Sequence, residues 1–118
     1  MSRCPLSFLI AAVLLWFPPL ASAHAILLSS TPAVRAVVNG AHVQVKLRFN
    51  SRIDAKRSRL VLVNADGAQK TLEIGQQSSP DSLTAEVMAL RKGGFILRWQ
   101  VLASDGHITR GEIPFRVE

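Results

Sequence analysis

The segment Val43–Phe49 reads VQVKLRF and places an apolar residue at every second position. Because side chains alternate between the two faces of a β-strand, this segment is predicted to be a strand with one buried and one solvent-facing side. The same alternation returns in residues 95–101 and 113–117. Shorter candidate strands are residues 25–29, 60–63, 71–74 and 83–87. A period of two therefore dominates the chain after its first two dozen residues.

Turn-forming residues separate these segments. An Asn-Gly pair at Asn39 and Gly40 precedes the strand 43–49, and residues 64–67 (NADG) predict a hairpin connection. Residues 78–82 predict a loop, and residues 92–94 (KGG) a tight turn. About seven short strands, with no helical pattern and no repeat, predict an all-β domain, either a Greek-key sandwich or a small barrel. The Cys-Trp-Cys signature of a true immunoglobulin domain is missing, so only the architecture is implied.

Residues 1–23 have the layout of a cleavable secretory signal. Arg3 is basic, an apolar run follows, and Ala21 and Ala23 form an A-x-A cleavage site. The apolar run is short for a membrane span, so we expect a soluble exported protein rather than one with a retained anchor. Cleavage after Ala23 would leave residues 24–118, a length that suits one small domain.

The excess of basic residues bears on which partners the protein could bind. The chain has 14 Lys and Arg against 8 Asp and Glu, a formal net charge of +6. The densest basic group has no aromatic neighbour that could stack on bases, so we expect no nucleic-acid partner. We interpret this group as a solvated loop or edge, with attraction to an anionic membrane surface or an acidic partner as the alternative. Its members are Arg52, Lys56, Arg57 and Arg59.

Cleavage after Ala23 would make His24 the first residue of the exported chain. Its α-amino group and its imidazole Nδ1 could then close a chelate ring on one metal ion. A second histidine, His107, follows Asp105 and Gly106. On an extended chain Asp105 and His107 would point to one face, and Gly106 would permit an unusual backbone dihedral. We therefore predict a metal site formed by His24, Asp105 and His107.

Three nitrogens with a carboxylate nearby favour Cu(II), which prefers tetragonal nitrogen and oxygen ligands. Zinc is the main competitor, although it prefers a tetrahedral site. Asp105 would either bind the metal axially or orient His107. The only cysteine, Cys4, lies in the signal, so the exported domain has no thiolate ligand and no disulfide. Because amine and imidazole must be unprotonated to bind a metal, binding should weaken on acidification.

Other candidate residues carry less weight. His42 lies on the polar side of its strand pattern, so we expect it to face solvent, with an accessory ligand as the alternative. Trp99, the tryptophan of the exported part, is expected in the core under the site. The acids form no close pair with catalytic spacing, and neither a Gly-x-Ser-x-Gly motif nor a phosphate-binding glycine loop is present in the sequence.

The two ends of the exported chain resemble the CopC family of periplasmic copper-resistance proteins. Residues 24–33 (HAILLSSTPA) resemble the family's mature N-terminus, H-A-x-L-x-x-S-x-P-A. Residues 94–101 (GFILRWQV) and 104–107 (SDGH), with Gly111, Phe115 and Val117, resemble its C-terminal motif, although Phe95 replaces the usual tyrosine. The resemblance implies a Greek-key β-barrel of immunoglobulin-like topology.

The resemblance also implies one Cu(II) per chain, bound by the N-terminal histidine, the motif aspartate and the motif histidine, which are His24, Asp105 and His107. Some members carry a Cu(I) site in a methionine-rich loop. Met88 is the one methionine after the signal, so we predict no Cu(I) site. Certain members place a glutamate near the copper where this chain has Ser51, which leaves a fourth protein ligand open.

These observations lead to three hypotheses of function. The first is a monomeric periplasmic Cu(II) carrier that sequesters copper or delivers it to a CopD-type inner-membrane transporter. The second is a copper enzyme, because the histidine brace is also the active-site unit of lytic polysaccharide monooxygenases. We expect no enzyme, since the chain has no tyrosine and few aromatic residues to form a substrate surface. The third is a metal-free β-sandwich adhesion or assembly module.

Overall fold

The computed structural model describes residues 25–118, which form eight β-strands and one short 3-10 helix. The predicted signal, residues 1–23, and His24 lie outside the described residues. The strands are β1 (Leu27–Thr31), β2 (Val37–Val38), β3 (Val43–Phe49), β4 (Arg59–Asn64), β5 (Gln69–Leu72), β6 (Ser82–Val87), β7 (Gly93–Leu102) and β8 (Ile108–Val117), and the 3-10 helix is Ala55–Arg57. No helix in this part of the chain is long and apolar enough to cross a membrane.

The strands form two sheets with the order β1-β3-β6 and β2-β8-β7-β4-β5. The chain passes from one sheet to the other at every connection except those between β4 and β5 and between β7 and β8, which is a Greek-key arrangement. The first strand contributes to the small sheet, and the short β2 then pairs in parallel with β8 of the large sheet. Of the two predicted architectures, the described residues therefore adopt the immunoglobulin-like sandwich and not a closed barrel.

The core lies between the sheets and is built from the predicted alternation. Val43, Val45, Leu47 and Phe49 of β3 are all buried, whereas the residues between them are exposed. On the facing sheet, alternate residues of β7 and β8 are buried in the same way, and the register aligns Leu97 with Ile113. Burial of these side chains is the main favourable term in folding, so the period-two pattern determines both strand position and sheet facing.

All seven predicted strands are present, with differences at their ends. Strand β5 lies two residues before the predicted segment 71–74, and Gly93 and Gly94, predicted as part of a turn, begin β7. Strand β8 begins at Ile108 and not at residue 113. Its first half was missed because the inward positions there hold Thr109 and Gly111 instead of large apolar residues. Strand β2 was missed because two residues are too few to show a period.

Gly111 occupies an inward position because Trp99 fills the space where its side chain would be. Trp99 and Gly111 are register partners on β7 and β8. A Cβ atom on Gly111 would lie 2.3 Å from Cζ2 of Trp99. The indole ring packs edge-on against Phe49 of the other sheet, with a centroid distance of 5.2 Å. Trp99 is thus a core residue, as predicted, and it bridges the two sheets above a glycine.

The densest basic group of the sequence is exposed, as we interpreted it. Arg52, Lys56 and Arg57 lie on the segment between β3 and β4, and Arg59 begins β4. The Asp54 side chain accepts a hydrogen bond from the backbone N–H of Lys56 at 3.1 Å and pairs with Arg57 at 3.2 Å. This segment is therefore a capped, solvated connection.

Candidate metal centre

Asp105 and His107 lie in the loop 103–107, which joins β7 to β8. Two backbone hydrogen bonds close this loop, from the Ala103 N–H to the His107 carbonyl and from the Gly106 N–H to the Ala103 carbonyl, both at 2.9 Å. Gly106 adopts a φ of +88°, in the left-handed region that glycine enters without a steric penalty. The unusual dihedral predicted for Gly106 is therefore present, and it makes the loop a tight turn.

The Asp105 carboxylate contacts His107 twice. The backbone N–H of His107 donates to Oδ1 at 3.0 Å, and the ring Nδ1 lies 2.7 Å from Oδ2. The sequence interpretation placed both side chains on one face of an extended chain, and that reason was wrong. The two side chains meet because the turn folds the carboxylate back onto the residue two positions later.

These contacts define the chemical state of the pair. The backbone N–H of His107 is the main cause that lowers the pKa of Asp105, the ring hydrogen bond adds to it, and burial opposes both. An ionised carboxylate can only accept hydrogen bonds, so Nδ1 must be the donor. The ring nitrogen of His107 that contacts the carboxylate is therefore Nδ1 and not Nε2.

The first described residue of the chain lies at the same end of the sandwich as this loop. Ala25 is buried in the core. Beside it, the Ile26 N–H donates to Oδ1 of Asn50 at 2.7 Å, and the Asn50 N–H donates to the Ile26 carbonyl at 3.0 Å. Two residues further on, the Arg52 carbonyl accepts from the Ser104 N–H at 3.1 Å. Residues 50–53 thus connect the start of the described chain to the loop 103–107.

Asn50 holds the start of the described chain, a contact that the sequence did not predict. It follows the last residue of β3 and joins the first residues of the described chain through two hydrogen bonds. The sequence feature that could have indicated Asn50 is a polar residue at the end of a strand. Its side chain there can satisfy a backbone N–H that has no sheet partner. That signal is too common to have identified Asn50 from the sequence.

The described residues contain only part of the predicted site. Within residues 25–118 no three His, Cys, Asp or Glu side chains are grouped so that they could hold a metal ion. His24, the third predicted ligand, lies outside this range. His42 is exposed, as expected, just before β3, whose other end approaches the loop 103–107. A strand of that length puts His42 about 20 Å away, so His42 is not an accessory ligand.

Three buried polar side-chain atoms have no hydrogen-bond partner among the described residues: Ser51 Oγ, Trp99 Nε1 and Thr109 Oγ1. Thr109 follows His107 by two positions, and Ser51 follows Asn50. Ser51 is where the resemblance places a glutamate in certain relatives. A serine hydroxyl is neutral, so Ser51 does not supply the negative charge that such a glutamate would carry.

Comparison with known proteins places this geometry in context. Residues 27–118 match the family model of the CopC domain. A curated relative, the copper transport protein CutJ of Bacillus subtilis (strain 168), is 26% identical over 108 residues. That match covers 88% of this chain and 20% of the relative, so the chain spans about a fifth of the relative's length.

Two solved structures share the fold. The crystal structure of CopC from Methylosinus trichosporium OB3b is 28% identical, with a TM-score of 0.72, and the match covers 80% of this chain and 94% of that one. The structure of PcoC, a methionine-rich copper resistance protein from Escherichia coli, is 22% identical, with a TM-score of 0.68 and coverages of 80% and 99%. The second likeness concerns the fold alone.

Proposed function

This chain belongs to the CopC family, and from that membership we propose that it is a monomeric Cu(II) carrier of the periplasm. It binds one copper ion per chain and either sequesters it or delivers it to a CopD-type transporter of the inner membrane. The name of the Bacillus subtilis relative, a copper transport protein, supports a role in copper traffic. The proposed site requires removal of residues 1–23, which makes His24 the first residue, and an intact mass of the exported protein that corresponds to residues 24–118 would establish that cleavage.

One observation carries the proposal. The Asp105 carboxylate binds both the backbone and the ring of His107, at 3.0 and 2.7 Å. A carboxylate that holds the far nitrogen of an imidazole is the usual support of a metal-binding histidine, because it sets the ring orientation and raises the basicity of the other nitrogen. The His107 side chain is 60% exposed, so an ion can reach it from solvent.

The ligand set that we propose fits copper. The amine and Nδ1 of His24 would form a chelate, and Nε2 of His107 would supply the third nitrogen. Asp105 then orients the His107 ring through Nδ1 and is not a direct ligand. Three nitrogen ligands without a thiolate favour Cu(II), which also leads the affinity order of the divalent first-row metals. Copper here is the cargo of the protein.

We propose a carrier and not an enzyme because the described surface offers no aromatic platform for a substrate. The aromatic residues of the described chain, Phe49, Phe95, Trp99 and Phe115, are all buried in the core. A copper oxygenase that acts on a flat polymer needs exposed rings beside the metal. The surroundings of His107 suit binding and release of an ion.

A copper titration tests the proposal. The mature protein, residues 24–118, should bind one equivalent of Cu(II), and its melting temperature should rise with copper, because a ligand that binds only the native state stabilises it. Differential scanning fluorimetry with and without one equivalent of copper measures this. An unchanged melting temperature would favour the metal-free module.

Asp105→Asn should weaken Cu(II) binding by about 10- to 100-fold, the usual cost of losing a partner of a ligating histidine. The amide can still accept from the His107 backbone N–H, but its NH2 group would face the Nδ1 proton and turn the ring or change its tautomer. Competition titration against a chromophoric chelator measures the affinity.

The matched control is Asp66→Asn, which makes the same change in the turn between β4 and β5. We expect it to leave the copper affinity as in the parent protein. The melting temperature of both copper-free variants should stay close to that of the parent protein. Equal affinities for Asp105→Asn and Asp66→Asn would show that Asp105 does not orient His107.

A further inference from the structure

The outer face of the five-stranded sheet concentrates positive charge. Its outward residues come from β4, β7 and β8, because the alternate residues of these strands face the core. Arginines dominate the charged positions of this face and the segment beside it, and the one acid in the two grooves described below is Glu112. The arginines are Arg35, Arg59, Arg98, Arg110 and Arg116.

These charges are largely uncompensated. Glu112 pairs with Arg98 at 3.1 Å, and Arg110 donates only to the neutral side chain of Gln100, at 2.8 Å. Among residues 25–118, Arg59 and Arg116 have no carboxylate within salt-bridge distance. Arginine carries five donors in a planar fork, so an arginine without an acid partner is ready to bind carboxylates.

The opposite face of the sandwich is balanced. There the outward residues of β3 include Lys46 and Arg48, and Glu86 lies on the neighbouring strand β6. Arg48 also pairs with Asp81 at 3.4 Å. The excess of positive charge is therefore a property of one face and does not simply follow from the basic composition of the chain.

The outer side of the five-stranded sheet with its five arginines, here called the arginine face, has two grooves. Arg59, Arg98 and Arg110 line a groove of about 520 Å³, and Arg35 and Arg116 flank a second groove of about 440 Å³ that has Ile96 and Pro114 on its floor. Arg35 is held beside β8 by its backbone N–H, which donates to the Pro114 carbonyl at 2.6 Å, and its φ of 63° is uncommon for a residue other than glycine. The surface thus has arginines around a partly apolar floor.

We infer that this face docks an acidic segment of a polypeptide partner. A protruding chain with Asp or Glu side chains can enter the grooves and meet the guanidinium groups, and its apolar groups can cover Ile96 and Pro114. A flat lipid surface cannot enter a groove, and the exposed apolar residues Ile108 on β8 and Val37 on β2 line neither groove. Charge complementarity and shape therefore both select an acidic polypeptide.

The docked partner would lie next to the candidate metal centre. Strands β7 and β8 carry Arg98 and Arg110, and the loop that joins these two strands carries His107. The docking surface stands on charge and shape alone, whereas the idea that this partner exchanges copper with the chain rests on the proposed function. An acidic segment would then hold its protein against the edge of the sandwich where copper is bound.

The test uses the mature protein and a fluorescent peptide of about twelve residues in which Glu and Ser alternate, with a Gln-Ser peptide as neutral reference. Fluorescence anisotropy at about 50 mM salt, where charges interact over more than 10 Å, should show binding of the acidic peptide only. Arg59→Ser with Arg110→Ser should weaken this binding about tenfold or more. Chemical-shift changes on peptide addition should map to β4, β7 and β8.

The matched control, Lys46→Ser with Arg91→Ser, removes the same charge from exposed positions outside the face and should change the affinity less than about twofold. Equal weakening in both double variants would show attraction to net charge only and overturn the inference. Vesicles of phosphatidylglycerol that bind the parent protein and lose binding through the same arginine substitutions would reassign the face to lipid. A copper titration of each variant separates failure of docking from failure of copper binding.

Discussion

Adding one alanine ahead of His24 should weaken Cu(II) binding at least about a hundredfold. The extension turns the α-amino group of His24 into an amide, and the chelate ring of amine and Nδ1 is lost. Changing a residue that only supports a ligand costs about 10- to 100-fold in affinity, so the loss of a ligand itself should cost at least the upper end of that range. Ala25 is buried, so the chain cannot slide to bring the new amine into place.

The control for the extension is the same alanine added after Glu118, which is exposed. This protein keeps the mass and composition of the extended chain and should bind copper as the mature protein does. Competition titrations of the three proteins against one chelator give the affinities directly. An N-terminal extension that leaves the affinity unchanged would remove the His24 chelate from the site.

Gly111→Ala should be the most destabilising glycine-to-alanine change among the described residues. The added Cβ would meet Cζ2 of Trp99 at 2.3 Å, and the indole cannot move away because Phe49 packs against it from the other sheet. Overpacking of this kind costs about 1–3 kcal/mol or more. For a domain of this size the melting temperature should fall by roughly 10 °C, since each kcal/mol shifts it by about 4–8 °C.

Gly94→Ala supplies the matched control on β7. There the nearest atom to the new Cβ is Nη1 of Arg116 at 3.9 Å, so the methyl group fits without strain. This variant should melt within a few degrees of the parent, or slightly above it, because alanine loses less backbone entropy on folding. Trp99→Leu in the Gly111→Ala background should recover part of the loss. Equal melting temperatures for Gly111→Ala and Gly94→Ala would contradict the packing described for Trp99.

The sequence predicted the strands correctly wherever buried and exposed residues alternate along them. Strand β3 was predicted with its bounds because every inward position is a large apolar residue. Prediction failed where the packing partner is distant in sequence, since Gly111 looks like a strand breaker until Trp99 is placed above it. The choice between sandwich and barrel depends on how strands pair across the whole chain, and a local period carries no information about that.

The candidate site was also predictable only where its residues are close in sequence. The residue types of Asp105 and His107 indicated a metal ligand with its carboxylate support, and the structure brings them together. The sequence indicated the unusual dihedral of Gly106, but the turn also depends on the buried Ala103, whose backbone closes it, and the Asp-Gly-His spacing did not reveal that. Asn50, which binds the start of the described chain near this loop, could be found only from the strand register.

The arginine face could not be predicted for a related reason. Its five arginines come from three strands and one connection and are dispersed from residue 35 to residue 116. The densest basic group in the sequence, around residues 52–59, contributes only Arg59 to this face. Charge density along the chain was therefore a poor guide to charge density on the surface, because strand pairing and not sequence distance determines which side chains are neighbours.

Electron paramagnetic resonance of the Cu(II)-loaded mature protein tests the central claim most directly. With His24 as first residue, the spectrum should show a type 2 copper ion coupled to the amine and to two imidazole nitrogens, from His24 and His107. The protein extended by one alanine should give a different spectrum, with the amine coupling lost. Identical spectra for the two proteins would contradict the proposal that the N-terminal residue and His107 together bind the copper.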